Sequence, residues 1–354
     1  PCPLCLPQYG LVFDAGSTHT ALYIYRWPAD KENGTGIVSQ VKACSVSGEC
    51  GGTWLSPSSA SAQPGDAGAG ASVCRGGCPA APAPAGWVMP EQNSTKAEQV
   101  LAEVAKAIGE YPVDFRGAWI LTGNEEGSFG WITVNYLLET LVKFSFAGKW
   151  EHPQDTEVLG ALDLGGASTQ ITFQPGVTIE DKNTSVFFRL YGTNYSLYTH
   201  SYLCYGRTQA LKMLLADLHQ VPQPLVLTVT GTGDPAACST AIQKLFNFSC
   251  EANGTCGFNG VYQPPVRGQF FAFAGFYYTF HFLNLTSQQS LSNVNSTVQT
   301  FCKKNWTELE ETFPEEKGYL HTYCSAAIYI LTLLLDGYKF NEHTWSSIHF
   351  SQQV

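Results

Sequence analysis

Two stretches of this chain are near-copies of one another. Residues 161–173 read Ala-Leu-Asp-Leu-Gly-Gly-Ala-Ser-Thr-Gln-Ile-Thr-Phe, and residues 11–22 read Leu-Val-Phe-Asp-Ala-Gly-Ser-Thr-His-Thr-Ala-Leu. In each, a short apolar run carries one acid, Asp163 or Asp14. A glycine follows two residues later, and an apolar alternation then restarts. The pattern predicts two strands joined by a glycine loop, and predicts it twice. Such a loop turns consecutive backbone N–H groups toward one point, where glycine leaves room for a phosphate. Asp163, at the strand end, suits a cation held directly or through water. Taken alone, either stretch also reads as an ordinary Asp-Gly hairpin. Their recurrence after about 150 residues points instead to a duplicated domain, with two lobes bringing two acids and two phosphate loops to one cleft.

A chain of 354 residues can bury a large core in two lobes. Acidic residues number 29 against 19 basic, the net charge is −10, and no basic patch is present, which excludes nucleic acid as a partner. An acidic protein that binds polyphosphate needs a divalent cation between the two. Nine Asn-x-Ser/Thr sequons, beginning at Asn33, Asn93, Asn183, Asn194, Asn247, Asn253, Asn284, Asn295 and Asn305, point to a glycosylated chain of the secretory route. The 12 cysteines then read as disulfides rather than zinc ligands. Cys2 and Cys5 are spaced as a Cys-x-x-Cys, but no second pair or histidine cluster follows. Ala326–Leu335 is apolar but too short to span a bilayer, and no signal peptide is visible, so the sequence reads as a trimmed or partial product.

Along the chain, residues 9–43 read as strands. Residues 45–87 are rich in Gly, Ala, Pro and Ser and poor in large aliphatics, which predicts a flexible, disordered stretch. Residues 95–109 read as an amphipathic helix, and Ala118-Trp119-Ile120-Leu121 as a buried strand. Thr122–Gly127 reads as a polar turn holding the pair Glu125 and Glu126, and Trp131–Phe144 as the helix after it. An acidic pair there serves either catalysis or helix capping. Residues 186–205 read as a hairpin, Arg207–His219 as a helix and Leu225–Thr230 as a strand. Residues 269–283 are a dense aromatic run, Tyr323–Leu335 reads as a buried helix, and Ile348–Phe350 as a strand. One exposed tyrosine of the aromatic run would stack on a planar ligand.

Three long motifs resemble those of the ecto-nucleoside triphosphate diphosphohydrolases, the cell-surface apyrases: Phe13–Thr20, Leu121–Trp131 and Ala161–Gln170. The similarity covers residues 9–44, 88–219 and 226–350. Tyr198–Cys204 and Tyr277–Thr286 look most like the type 8 branch, with type 2 second. The resemblance implies an α/β, duplicated actin/hexokinase-like (ribonuclease H-like) fold, with residues 1–122 as the first lobe and 123–354 as the second. It implies hydrolysis of extracellular ATP, ADP, UTP and UDP to release phosphate. It also implies Ca²⁺ or Mg²⁺ held through waters by Asp14 and Asp163. Glu126 matches the catalytic base, Ser168 helps to hold the attacking water, and Gln170 lies nearby. Gly16, Ser17, Thr18 and His19 match the first phosphate loop, and Gly165, Gly166 and Ala167 the second. Tyr278 and Tyr323 match aromatics that sandwich the base. Bridges Cys250–Cys256 and Cys302–Cys324 follow from the same resemblance, as do membrane anchoring on the extracellular face and a homo-oligomer.

The chain departs from the family pattern. Low-complexity sequence stands where a second conserved region is expected, between Cys44 and Trp87. About 35 residues are missing between His219 and Val226, leaving Cys204 and Cys238 without family partners, so the two thiols are expected to pair. A fifth conserved region, expected after Phe350, and both membrane anchors are also missing. Two other readings follow: an impaired ectodomain that binds nucleotide or a partner subunit, and a sugar kinase or exopolyphosphatase of the same superfamily. The second fits Asp-x-Gly but not the sequons or the Glu126 region.

Overall fold

The computed structural model describes residues 7–16, 20–27, 37–46, 67–72, 94–144, 150–153, 156–219, 230–250 and 255–352. These fall into two compact units, one ending at Thr122 and the other beginning at Gly123.

The first unit holds strands β1 (Gln8–Ala15), β2 (Thr20–Trp27), β3 (Ser39–Val46), β4 (Ala67–Ser72) and β5 (Asp114–Trp119), with helix α1 (Ser94–Gly109). Its sheet has the order β3-β2-β1-β4-β5. The β1–β2 pair is antiparallel, with Asp14 opposite Ala21, and β4 lies parallel to both β1 and β5. Residues 67–72, within the stretch 45–87 read as flexible, form a strand: a run without large side chains still supplies a full set of backbone donors and acceptors to its neighbours. Ser45 and Val46 belong to β3, and the remainder of 45–87 lies outside the described residues. Trp119 closes β5 but is 50% exposed, so the strand expected to be buried there has an open end.

The second unit opens with α2 (Gly123–Leu137). A short pair, β6 (Lys143–Phe144) and β7 (Trp150–Glu151), follows. Then come β8 (Gly160–Leu164), β9 (Ser168–Phe173), β10 (Ser185–Leu190), β11 (Thr193–Leu203), α3 (Arg207–His219) and α4 (Pro235–Gln243). The unit closes with β12 (Phe270–Ala274), α5 (Gly275–Phe282), α6 (Leu291–Cys302), α7 (Trp306–Thr312), α8 (Leu320–Thr332) and β13 (Ile348–Phe350). The sheet order is β10-β11-β9-β8-β12-β13. With the outer β10 set aside, it repeats the first sheet: an antiparallel hairpin, a third antiparallel strand on one side, and two parallel strands on the other. The duplication read from Asp14 and Asp163 is therefore present in the topology, and β4 holds the place that β12 holds here. Such twice-built mixed sheets make the fold α/β and actin/hexokinase-like.

Apolar runs in β8, β9 and β12 are buried because helices cover the sheet: Leu162, Leu164, Ile171, Phe173 and Phe270 are all in the core. Each contributes roughly 1.5–3 kcal/mol on burial. The helical stretch Leu320–Gly337 is long and apolar enough to cross a membrane by length and composition, but two-thirds of it is buried in this core. Disulfides join Cys250 to Cys256 and Cys302 to Cys324, as the resemblance implied. The expected Cys204–Cys238 pair is not formed. Cys204 is disulfide-bonded, whereas Cys238 is a free thiol whose pKa burial raises. The predicted strand Leu225–Thr230 falls, but for Thr230, outside the described residues.

Candidate active site

The acidic pair does not lie in a turn. Helix α2 starts at Gly123, so Glu125 and Glu126 occupy its first turn, where the helix dipole favours negative charge. The glycines that suggest a turn instead admit close packing. A Cβ on Gly123 would sit 2.2 Å from Ser201 Oγ, and one on Gly127 would sit 2.8 Å from Thr172 Oγ1. Both contacts are with β9 or β11, so the helix is pressed onto the sheet at the level of Gln170. Its other end is pinned by buried Asn135. That carboxamide donates to Trp131 O and Leu159 O, at 2.9 Å each, and accepts from Leu159 N and Thr140 Oγ1.

This packing brings Glu126 to the β8–β9 hairpin. Gln170 Nε2 donates to Glu126 Oε2 at 3.0 Å. It also lies 2.9 Å from the hydroxyl oxygens of Ser168 and Ser201. Ser168 Oγ is 3.5 Å from the same carboxylate oxygen. Gln170 is only 2% exposed, so its amide is held by these partners rather than by solvent. Glu126, Ser168 and Gln170, singled out from sequence, thus form one hydrogen-bonded cluster, with Ser201 as a fourth member.

Asp163 faces Gln170 across the hairpin register, and its backbone carbonyl accepts from Thr169 Oγ1 at 2.7 Å. Gly165-Gly166-Ala167 forms the tight connection, closed by Gly165 N donating to Ser168 O. The first N–H groups of α3 bind the connection from behind: Arg207 N donates to Gly165 O, and Thr208 N and Gln209 N donate to Gly166 O. Those bonds hold the two carbonyls toward α3. Gly206 makes the approach feasible, since a Cβ there would sit 2.4–2.5 Å from Ser168 N and the backbone of Ala167. On the other flank, Ala274 adopts φ 52° and ψ −123°, a costly conformation for a non-glycine residue, and Gly275 packs against Leu164 O.

Tyr278 projects from α5 with 53% of its surface exposed. Tyr323, expected to face it across a base, is 6% exposed. Its ring stacks on Phe282 at 3.8 Å and its hydroxyl donates to Glu316 at 2.7 Å, so one ring face and the hydroxyl are already engaged. Asp14 and Gly16 end β1 in the first unit, while Ser17, Thr18 and His19 lie outside the described residues. Among the described residues no group of three His, Cys, Asp or Glu side chains forms a metal cage. Carboxylates such as Asp163 and Asp14 suit a hard cation that keeps most of its waters.

Sequence reasoning did not single out Ser201, Gly206 or Asn135. Ser201 gave a partial signal, lying within the Tyr198–Cys204 stretch. Gly206 and Asn135 gave none, because each acts through a contact distant in sequence.

A ribonuclease H-like sheet carrying an acid and a glycine turn, with a second carboxylate delivered by a flanking helix, is the build of a nucleoside phosphatase. The chain belongs to the GDA1/CD39 (nucleoside phosphatase) family, whose sequence profile matches residues 7–51, 80–228 and 225–354. Ectonucleoside triphosphate diphosphohydrolase 8 of Gallus gallus is 66% identical, covering 98% of this chain and 80% of its own. The type 1 enzyme of Bos taurus is 41% identical, over 98% and 78%. The type 2 enzyme of Rattus norvegicus, at 37% over 98% and 79%, ranks below type 1, so type 8 stands where expected and type 2 does not. A nucleoside triphosphate hydrolase structure from Neospora caninum shares the fold, with a TM-score of 0.55 at 11% identity over 98% of this chain and 88% of that one. The chain is thus an enzyme of nucleoside tri- and diphosphate hydrolysis.

Proposed function

We propose that this chain releases inorganic phosphate from extracellular ATP, ADP, UTP and UDP, with Glu126 as the base. The hydrogen-bond cluster on Glu126 carries the reading. Ser168 and Gln170 place polar hydrogens beside the carboxylate, where a water would sit between them and the terminal phosphorus. Glu126 takes a proton from that water as its oxygen attacks, and the anhydride bond breaks to leave the shorter nucleotide. The N–H groups of Gly166 and Ala167 bind the phosphate oxygens, and Gly16, Ser17, Thr18 and His19 match the other phosphate loop of the family. Tyr278 stacks on the base, with Tyr323 as its expected partner. Asp163 and Asp14 are the carboxylates that would hold Ca²⁺ or Mg²⁺ through waters, and the cation supplies neutralisation of the charge developing on the phosphates. The sequons and the ecto- prefix of the relatives' names support a secretory-route ecto-enzyme.

One observation favours a second reading, an impaired ectodomain that binds nucleotide or a partner subunit. Residues 52–79 lie outside the family match, and they include β4, a strand internal to the first sheet. Phosphate release from ATP with Ca²⁺ or Mg²⁺, measured on the purified glycoprotein beside an intact type 8 enzyme, separates the two. Comparable turnover supports the first reading. Nucleotide binding without turnover supports the second.

A further inference from the structure

A groove of about 370 Å³ opens in the second unit, between α4, α6 and α8. Leu291, Ile328, Leu331 and Leu335 form an apolar floor, and the polar lining holds the carboxamides of Gln243 and Gln299 and the carboxylates of Asp336 and Glu342. Among the described residues, neither of these carboxamides has a hydrogen-bond partner. The volume is that of an ordinary ligand site, in the range of roughly 300–1,000 Å³. Its lining differs from the Glu126 cluster in every residue.

One wall of the groove is Asn295, the acceptor of the sequon Asn295-Ser296-Thr297. Asn295 is exposed at mid-helix in α6, and among the described residues its carboxamide also lacks a hydrogen-bond partner. Other sequon asparagines are used by the fold. Asn305 Oδ1 caps α7 by accepting from Thr307 N, and Asn194 Oδ1 accepts from Arg189. An N-acetylglucosamine residue has an apolar ring face and an amide and hydroxyls at its edge. That is the complement of an apolar floor with carboxamides and carboxylates beside it.

We propose that Asn295 carries an N-linked glycan whose first sugars lie in this groove. The inference rests on the secretory reading. In the transfer, Asn295 Nδ2 bonds to the sugar C1 of a polyprenyl-pyrophosphate-linked oligosaccharide. The C1–O bond to the carrier breaks, the pyrophosphate carrier leaves with the bonding pair, and Nδ2 gives up one proton to solvent base. Sugars seated in the groove are shielded from trimming enzymes and cover apolar surface that is otherwise wet.

The test is intact-glycopeptide mass spectrometry on the chain expressed in a mammalian secretory host. Asn295 is expected to be occupied and to keep untrimmed oligomannose, while Asn194 and Asn305 carry processed glycans. Enzymatic release under native conditions should be at least about tenfold slower from Asn295 than from Asn194, because a linkage whose first sugars are seated in the groove is cut only after they leave it. Denaturation should abolish the difference. Filling the groove with Gln243→Trp should bring the native rate at Asn295 up to that at Asn194. An unmodified Asn295 beside occupied Asn194 and Asn305 overturns the proposal and leaves the secretory reading standing. Absence of glycan at all three overturns both. Equal native release rates, or no response to Gln243→Trp, show that the glycan does not occupy the groove.

Discussion

Gln170 donates its amide to the carboxylate of Glu126 at 3.0 Å, although 44 positions separate them in sequence. The bond fixes which end of the amide faces Glu126. A flipped Gln170 would set its oxygen against a carboxylate and lose that bond.

Glu126→Gln keeps the shape and removes the proton acceptor. Phosphate release should fall by about 10²–10⁴ with nucleotide binding retained, since general-base catalysis is worth that much. Steady-state release and equilibrium nucleotide binding check it. Retention of a tenth of the activity would move the base to Glu125.

Ser201→Ala acts through Gln170. The two amide hydrogens now serve three acceptors, and without Ser201 they concentrate on Glu126 and Ser168. A more strongly solvated carboxylate is a weaker base, so kcat should fall by several-fold with KM unchanged, and the acidic limb of the kcat profile should move to lower pH. A pH–rate series reads both effects, and an unmoved limb would make Ser201 merely structural.

Gly206→Ala forces a methyl into the backbone of Ala167 and Ser168, which cannot yield as a side-chain tip can. The overpacking should cost about 1–3 kcal/mol. Thermal melting should show the loss, and phosphate release should drop further than stability alone accounts for, because the displaced atoms belong to the phosphate turn.

His200 gives the second unit a pH dependence. Burial pushes its pKa down to about 4, and its ring lies against Tyr202 at 4.4 Å. An unfolded histidine titrates near 6.5, so between these values the unfolded chain binds the extra proton. Stability should be complete above pH 6.5 and fall as pH drops toward 4, by up to about 3 kcal/mol. Denaturant titrations at pH 7 and 4.5 on the parent and on His200→Gln check it, and the variant should lose this part of the slope.

Chelation should abolish phosphate release, and Ca²⁺ or Mg²⁺ should restore it, because acidic side chains repel an uncompensated polyphosphate. Asp163→Asn should raise the metal concentration needed for half-maximal rate. Metal-independent turnover would remove Asp163 and Asp14 from the role given to them.

The hairpin around Asp163 was legible because strand, glycine turn and strand are local signals. The α2 helix was misread at its start because Gly123, Asn124 and Gly127 carry turn propensity, while their actual constraint is contact with β9 and β11. Tertiary packing overrode local preference there. Gly206 and Asn135 stayed illegible for the same reason: what each touches lies in another element. Trp119 reads as a core residue by type alone, yet half of it is exposed at a strand end.

The strand β4 has a consequence of its own. It reads Ala-Gly-Ala-Gly-Ala-Ser, between β1 and β5, in the place where β12 has Phe-Phe-Ala-Phe-Ala. Sliding β12 by two residues would lift Phe270 out of the core. Sliding β4 by two residues exchanges alanine for alanine and, but for Ser72, glycine for glycine. The second sheet is therefore keyed by its aromatic side chains, whereas the alanine–glycine alternation of β4 specifies its register only weakly. What marks the register of β4 is therefore its backbone pairing and Ser72, the one residue of the strand other than alanine and glycine, which stands opposite Asp14.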